Sequence, residues 1–238
     1  MEPKRRSLTV TDKSYLTPNM IRIRVEGDAL DGFNSPSPDD NIKMVIPDQS
    51  GELCMRSYTP RYYDAEQKAL VIDFAVHEAG PATHWALSVQ TGDEAIIAGP
   101  RGSKVVTGEI DNWLLIGDET ALPAMLRRVE EAGATDRYTM LASIPGNADQ
   151  QTISTPAIYT PHWLPRNGRD PADASVFLER LADMDIPERT FIWLAAEGSV
   201  TRQVRTYLNQ ERGVPLRWIK ATGYWVKGKA DTTAKFEE

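Results

Sequence analysis

The amino-terminal part of the chain carries the pattern of short strands. Apolar and polar residues alternate in Ile21–Val25, and apolar runs occupy Ile42–Ile46, Leu70–Val76 and Ala95–Ala98. Gly, Pro, Asn and Asp separate these runs, as expected where strands end in turns. About six such strands predict a small antiparallel β-barrel.

From about residue 110 the pattern changes to strands that alternate with helices. The predicted strands are Trp113–Ile116, Tyr138–Ser143, Thr190–Ala196 and Leu216–Lys220, and the predicted helices are Ala121–Glu131, Ala172–Met184 and Ser199–Arg212, with Ser199 as the N-cap. Repeated strand–helix units predict a parallel sheet with helices on its faces. In such a sheet, ligands bind beyond the carboxyl ends of the strands.

The predicted fold is therefore an N-terminal antiparallel β-barrel in residues 1–105, followed by a C-terminal α/β parallel-sheet domain in residues 106–238. The boundary is expected in the linker near Gly102–Asp111. Asn147–Pro171 is rich in Pro, Thr and Asn and is predicted to be one long loop. A loop of that length in a compact domain indicates either a function or disorder.

Composition excludes several classes of protein. The fractions of hydrophobic residues (41%) and charged residues (26%) are those of a soluble globular protein, and a net charge of −7 argues against a nucleic-acid binder. The longest apolar runs have the length of strands, so no membrane span is expected, and the cytoplasm is the expected location. A monomer is the default expectation.

Cysteine and histidine are scarce. The single Cys54 excludes an internal disulfide and any cysteine-based zinc or iron–sulfur site, and three scattered histidines add no cluster of metal ligands. We therefore expect no resident metal. Cys54 itself is expected to be a buried structural thiol.

The segment from Arg56 to Arg61 carries the first candidate chemistry. Its sequence, Arg-Ser-Tyr-Thr-Pro-Arg, places a ring, a hydroxyl and two guanidinium groups along one extended segment. Alternate side chains of a strand share a face, so these groups suit a flat, anionic cofactor. An ordinary half-exposed strand is the alternative interpretation.

A helix start follows this segment after one apolar strand. Gly80 and Pro81 precede Ala82 and Thr83, and Pro tolerates the first helical position, where free backbone N–H groups attract phosphate. Together with the Arg56 segment, this start suggests an isoalloxazine pocket and a pyrophosphate pocket within one small domain. For His77, just upstream, a structural role is the alternative interpretation.

The predicted carboxyl ends of the parallel strands supply a second group of candidates. Gly117-Asp118-Glu119-Thr120 occupies a strand-to-helix junction, where backbone N–H groups and the hydroxyl of Thr120 would face a nucleotide. A plain turn with a capping Thr is the alternative. The chain has no Gly-x-Gly-x-x-Gly motif, which counts against a simple dehydrogenase.

Charged and aromatic residues follow the last two strands. Arg202 and Arg205 fall on one helix face after Glu197, and together with Arg166 they would bind a 2′-phosphate, although a solvated charged face is the alternative. The Gly223-Tyr224-Trp225 segment offers an aromatic pair that would cover a flavin by stacking, or else a hydrophobic lid. Positive charge lies around this pair at Lys220, Lys227 and Lys229.

These motifs, taken in order, resemble those of the siderophore-interacting proteins, which are FAD-containing, NADPH-dependent ferric-siderophore reductases with a ferredoxin-NADP reductase-like fold. The resemblance covers nearly the whole chain. It rests on the Arg-x-Tyr-Thr-x-Arg strand at 56–61, His77 with Gly80–Thr83 and Trp85-Ala86, Gly99–Gly102, Gly117–Pro123, Trp163 and Arg166, Ala196-Glu197, and Gly223–Trp225.

The resemblance implies a role for each candidate residue. It implies that FAD is bound by Arg56, Ser57, Tyr58, Thr59, Arg61, Asp73, Phe74, His77, Pro81, Ala82, Thr83, Thr120, Tyr224 and Trp225. The nucleotide set is Gly117, Asp118, Glu119, Arg166, Glu197, Arg202 and Arg205, with NADPH, or NADH in its place, as electron donor in a cleft between the domains. The substrate set is Lys220, Lys227 and Lys229.

The function that the resemblance implies is transfer of electrons from NADPH through the flavin to a ferric siderophore, a small-molecule substrate, with release of iron(II). No side chain need act as general acid or base. Two alternatives stay open: a flavoprotein that passes electrons to a protein acceptor, and a non-catalytic siderophore-binding protein. The family usually has Arg directly after its Tyr-Trp pair, whereas this chain has Val226, so the class of siderophore is not fixed.

Overall fold

The computed structural model describes residues 4–48, 50–77, 80–100, 103, 105–229 and 234–235. The motif residues Glu78, Ala79, Arg101 and Gly102 lie outside this part of the chain. The chain divides into two compact units, Met1–Val106 and Thr107–Glu238.

The first unit is a seven-stranded antiparallel sheet with one helix. Its strands are β1 (Arg5–Thr17), β2 (Met20–Glu26), β3 (Ile42–Pro47), β4 (Leu53–Tyr58), β5 (Tyr62–Asp64), β6 (Ala69–Ala75) and β7 (Glu94–Ala98), and its helix is α1 (Pro81–Ser88). The strand order is β4-β3-β7-β1-β2-β6-β5. Although β4 and β6 are far apart in this order, the rings of Tyr58 and Phe74 lie 4.3 Å apart, so the sheet curls round as the predicted barrel requires.

Alternation along the strands builds the barrel core. In β2, Ile21, Ile23 and Val25 are fully buried, whereas Arg22 and Arg24 between them are partly exposed. The inward residues of β1, β3, β6 and β7 join them in one cluster, and Ala82 of α1 packs onto the same cluster. One face of each of these strands thus packs into a single core, as the alternation of apolar and polar residues in the sequence predicts.

The second unit is an α/β sheet. Its strands are β8 (Asn112–Gly117), β9 (Arg137–Ile144), β10 (Ile158–Pro165), β11 (Thr190–Glu197), β12 (Ile219–Trp225) and β13 (Ala234–Lys235), and its helices are α2 (Leu122–Glu130), α3 (Ser175–Ala182) and α4 (Gly198–Thr206). The order is β10-β9-β8-β11-β12-β13, with β8 to β12 parallel and β13 antiparallel. The predicted fold class is confirmed.

The prediction of one long loop at Asn147–Pro171 is wrong, because the segment contains β10, which pairs in parallel with β9. The strand lies at the edge of the sheet and most of its side chains are partly exposed, so the sequence carries no buried apolar run. An edge position also tolerates Pro161 and Pro165, which lack a backbone donor.

Two other boundaries differ from the prediction. The last long strand begins at Ile219 rather than Leu216, because residues 216–218 form a 3₁₀ turn, and it continues to Trp225. Gly223-Tyr224-Trp225 therefore lies inside β12. Helix α4 is capped by Glu197 rather than Ser199, because the Glu197 side chain accepts hydrogen bonds from the first-turn N–H groups, and a π-helical turn, Tyr207–Glu211, continues it.

Close backbone packing at the end of β8 requires Gly117. A Cβ at this position would lie 2.7 Å from Ala121 Cβ and 2.8 Å from the Ala195 carbonyl oxygen. Contacts this short can be relieved only if the backbone moves. The sequence motif at Gly117 therefore has a packing function that does not depend on any ligand.

We expect Gly117→Ala to lower the free energy of unfolding by roughly 2 kcal/mol, the cost of overpacking a core site. Gly146→Ala is the matched control, because no atom lies within 4 Å of a Cβ built there. Urea denaturation of both variants checks the expectation. Equal stability of the two variants would contradict it.

Candidate functional site

The β4 segment presents its side chains at an edge of the barrel sheet. Among the described strands, β4 is hydrogen-bonded only to β3, so one row of its backbone groups faces away from the sheet. Arg56 is partly exposed and donates to the Met55 carbonyl oxygen at 2.9 Å, and Ser57 is exposed. Burial raises the pKa of the Tyr58 phenol, and the charge of Arg56 offsets only part of the shift. The phenol is therefore neutral.

Arg61 and Asp73 belong to a buried ion cluster. Asp73 accepts two hydrogen bonds of 2.7 Å from Arg22, and Arg61 Nε lies 3.6 Å from its second oxygen. Arg61 and Asp73 are both almost fully buried. The cluster holds β6 to β2 and to the segment after β4, so these two predicted cofactor residues also have a structural role.

Phe74 and Thr59 are also buried. The ring of Phe74 lies between Tyr58, at 4.3 Å, and Trp85, at 5.4 Å. Trp85 thereby packs α1 onto the barrel. The buried ring of Phe74 packs against the ring of Tyr58 and is not exposed at the surface.

The start of α1 is open. Gly80 is the N-cap, and no side chain in the described part of the chain caps it. Pro81 follows, Ala82 and Thr83 are buried in the first turn, and the exposed His77 lies 3.8 Å from the position of a Cβ on Gly80. First-turn N–H groups have no partner within a helix, so this end can accept an anion.

Asp118 accepts four hydrogen bonds at the carboxyl ends of the second sheet. It is 2% exposed, and its Oδ1 accepts from the Thr120 N–H at 3.0 Å and the Thr120 hydroxyl at 2.5 Å. Its Oδ2 accepts from the Glu197 N–H at 3.0 Å and the Trp225 indole N–H at 2.9 Å. Burial, and then the neighbouring charge of Glu119, raise the pKa of Asp118 to about 6.

Glu119 and Arg166 form a buried bidentate ion pair, with N–O distances of 2.6 and 2.7 Å. Arg166 also donates to the Ser143 hydroxyl at 3.1 Å. These bonds connect the end of β8 to the ends of β9 and β10. Arg166, expected to share a phosphate with Arg202 and Arg205, is thus engaged by Glu119.

Glu197 is buried and caps α4. It accepts from the N–H groups of Ser199 (2.5 Å), Val200 (3.1 Å) and Lys227 (3.2 Å). Burial raises the pKa of Glu197, but the hydrogen bonds from Ser199, Lys227 and Val200 outweigh burial, so the pKa lies below its ordinary value. The Glu197 carboxylate thus has its hydrogen-bond partners within the chain.

The remaining predicted residues lie on α4 and β12. Arg202 is exposed and Arg205 half-buried, three positions apart on one helix face. Tyr224 meets Trp193 edge to face at 6.0 Å. The side chain of Lys227 is paired with Asp170, and the remaining two predicted lysines are Lys220, which is partly buried, and Lys229, which is exposed.

Sequence reasoning missed several contacts. It did not pair Arg22 with Asp73 across the antiparallel strands β2 and β6. At the carboxyl ends of the second sheet it did not pair Ser143 with Arg166 or Asp118 with Trp225, where the available signal was strand order, since the ends of parallel strands meet at one edge of the sheet. Within the described part of the chain, no group of three or more His, Cys, Asp or Glu residues could hold a metal ion. Among the helices that the structure describes, none has the length and apolar character that crossing a membrane requires.

Comparison with known protein families gives two matches that together cover most of the chain. The siderophore-interacting FAD-binding domain matches residues 9–54 and 48–104, and the siderophore-interacting protein model matches residues 110–228.

Comparison with curated proteins gives relatives of similar length. The NADPH-dependent ferric-chelate reductase of Escherichia coli (strain K12) is 32% identical over 92% of this chain and 92% of its own length. Ferric vibriobactin reductase ViuB of Vibrio cholerae serotype O1 is 28% identical over 94% of this chain and 90% of its own.

Solved structures agree with this result. A siderophore utilization protein from T. fusca superimposes with a TM-score of 0.89 and 33% identity, covering 96% of this chain and 95% of that chain. Ferredoxin-NADP+ reductase from Plasmodium falciparum has a TM-score of 0.69 at 10% identity, covering 91% and 95% of the two chains, which shows a shared fold.

We expect the cap at Glu197 to make stability depend on pH. Because the pKa of Glu197 is lowered in the folded state, its contribution is present above the unfolded pKa of about 4.3 and is lost as pH falls through the lower folded value. Glu197→Gln should therefore cost roughly 1 to 3 kcal/mol at neutral pH and progressively less below about pH 4.3. Urea denaturation of both proteins, from neutral pH to well below about pH 4.3, measures the difference.

Ser199→Ala serves as the comparison, because it removes one donor to Glu197 and keeps the carboxylate. It should reproduce part of the loss at neutral pH. A pH-independent loss in Glu197→Gln would contradict the expectation.

Proposed function

Because the chain belongs to the siderophore-interacting protein family, we propose that it is an FAD-dependent reductase that transfers electrons from NADPH to a ferric siderophore. The observation that carries the proposal is the match of both units to models of this family, together with a 32% identical ferric-chelate reductase of nearly the same length. Iron(III) enters as substrate within the chelate and leaves as iron(II).

The first unit fits FAD. The open start of α1, with a glycine N-cap and exposed His77 beside it, suits the pyrophosphate, and Thr83 and Ala82 contribute backbone N–H groups. The β4 edge suits the ring system, with Arg56 supplying positive charge and Tyr58 a neutral phenol held against Phe74. FAD, when bound, accepts a hydride and gives up electrons singly.

The carboxyl ends of β8 and β11 bind the nicotinamide nucleotide in this proposal. Arg202 and Arg205, which share a face of α4, bind the 2′-phosphate and favour NADPH over NADH. The Glu119–Arg166 pair and the Asp118 hydrogen bonds shape the surface on which the nucleotide lies. The carboxylates of Asp118, Glu119 and Glu197 all have hydrogen-bond partners within the chain. In this proposal they hold the strand ends in place and do not contact the nucleotide directly.

The end of β12 receives the ferric chelate in this proposal. Ferric siderophores are often anionic, and Lys220, Lys227 and Lys229 place positive charge there. The partner of Lys227 is Asp170 in an exposed ion pair, which costs little to exchange for another anion. The reductase acts as a monomer in the cytoplasm, where a reducing environment suits its single Cys54.

An anaerobic visible spectrum of the FAD-loaded protein tests the proposal. We expect the flavin bands to bleach with NADPH and to return when a ferric chelate is added, while an iron(II) indicator develops colour. Bleaching without iron(II) across several chelates would favour transfer to a protein acceptor. Absence of flavin binding would exclude both enzymatic functions.

Arg56→Ala tests the flavin site directly. Loss of a charge-assisted contact should weaken FAD binding roughly tenfold to a hundredfold, measured by fluorescence titration of the apoprotein. Arg24→Ala is the control, because Arg24 is a partly exposed arginine of β2 that pairs with Glu26 at 2.6 Å. Equal FAD affinity of the two variants would contradict the assignment of Arg56.

A further inference from the structure

Asp118 joins the ends of three parallel strands. It follows β8, accepts the backbone N–H of Glu197 at the end of β11, and accepts the indole N–H of Trp225 at the end of β12. Its other oxygen accepts both donors of Thr120. In all four hydrogen bonds the Asp118 carboxylate is the acceptor.

This set of partners requires a carboxylate. An ionised Asp only accepts hydrogen bonds, whereas Asn would direct an amide N–H at donors that already point inward. The mismatch is worst at Oδ2, where the Glu197 N–H and the Trp225 indole N–H both converge and neither can act as an acceptor. At Oδ1, the Thr120 hydroxyl can rotate and accept instead.

The backbone near Trp225 is tightly packed, whereas its ring is partly exposed. Pairing between β11 and β12 shifts register between Ala196 and Glu197, so that Glu197 lies opposite Trp225 and Tyr224 is an extra residue. Such a bulge redirects the side chains at a strand end. A Cβ on Gly223 would lie 2.9 Å from Gly198 Cα, so the backbone there is tightly packed. The half-exposed indole ring is oriented by its bond to Asp118.

We infer that Asp118 is a positioning residue that holds the Trp225 indole in one orientation at the carboxyl ends of the strands. The consequence for catalysis rests on the proposed function, in which the end of β12, where Trp225 lies, receives the ferric chelate. Asp118 itself touches no reacting atom. Its influence on the reaction passes through the ring that it holds.

The charges around Asp118 are consistent with this role. Glu119 is paired with Arg166, and Glu197 accepts from the backbone N–H of Lys227, so both neighbouring carboxylates have partners of their own. Hydrogen bonds from Thr120 and Trp225 favour the ionised form of Asp118, against burial and the charge of Glu119, which raise its pKa. At neutral pH the carboxylate is ionised and accepts the indole N–H.

Nitrogen-15 labelling of the tryptophan indoles in the FAD-loaded protein tests the contact without turnover. The Trp225 signal is identified by its loss in Trp225→Phe. We expect its indole proton to exchange with solvent at least about tenfold faster in Asp118→Ala, which leaves no acceptor for the indole N–H, as loss of one hydrogen bond implies. Thr120→Val is the control, because it removes a donor to Oδ1 and leaves the Trp225 contact in place.

Steady-state kinetics then test positioning against a general structural effect. Asp118→Ala and Trp225→Phe should each lower kcat for NADPH-dependent ferric-chelate reduction roughly tenfold, and the double variant should lose no more than either one. A merely structural role for Asp118 predicts losses that multiply. Trp225→Phe keeps an aromatic ring, so full activity in this variant would overturn the inference even if Asp118→Ala did not fold.

The two measurements separate the inference from the proposed function. Unchanged indole exchange in Asp118→Ala, or independent kinetic losses, would overturn the role of Asp118. Protein without reductase activity whose indole exchange still depends on Asp118 would contradict the proposed function and retain the Asp118–Trp225 contact.

Discussion

The second unit depends on one constraint: carboxylates buried at the ends of parallel strands must find donors inside the chain. An isolated buried charge costs several kcal/mol, so it persists only when it is paired or hydrogen-bonded. Asp118 accepts four hydrogen bonds, Glu119 forms an ion pair with Arg166, and Glu197 caps the start of α4. These bonds also connect the ends of the strands, which gives the edge proposed to bind the nucleotide its shape.

The same constraint operates in the barrel, with a different result. Asp73 is surrounded by the fully buried residues of β6 and is neutralised by Arg22 and Arg61. The cluster connects β2, β6 and the segment after β4, and Phe74, the next residue, supports Tyr58. A buried charge thus sets the position of a strand whose edge is proposed to bind the flavin, without itself facing the ligand.

This division of labour is consistent with flavin chemistry, in which the cofactor carries out the redox steps and the protein supplies position and electrostatics. Rigid, internally satisfied carboxylates lie beneath the surface, whereas exposed groups such as Arg202, Lys227 and Lys229 can exchange partners. These exposed groups are the ones proposed to meet anionic ligands.

Local pattern determined the elements, because burial of one face imposes period two on strands such as β2, and strand–helix alternation imposes a parallel sheet. It also placed the α1 start and the Gly117–Thr120 junction correctly. Local pattern missed β10, since a partly exposed edge strand buries little and so lacks an apolar run. It did not pair Glu197 with Lys227 or Arg166 with Glu119, because these partners come from distant segments of the chain. The chain alone thus determined which residues lie at the ends of the strands, and only tertiary packing decided which of their charges are neutralised inside the protein.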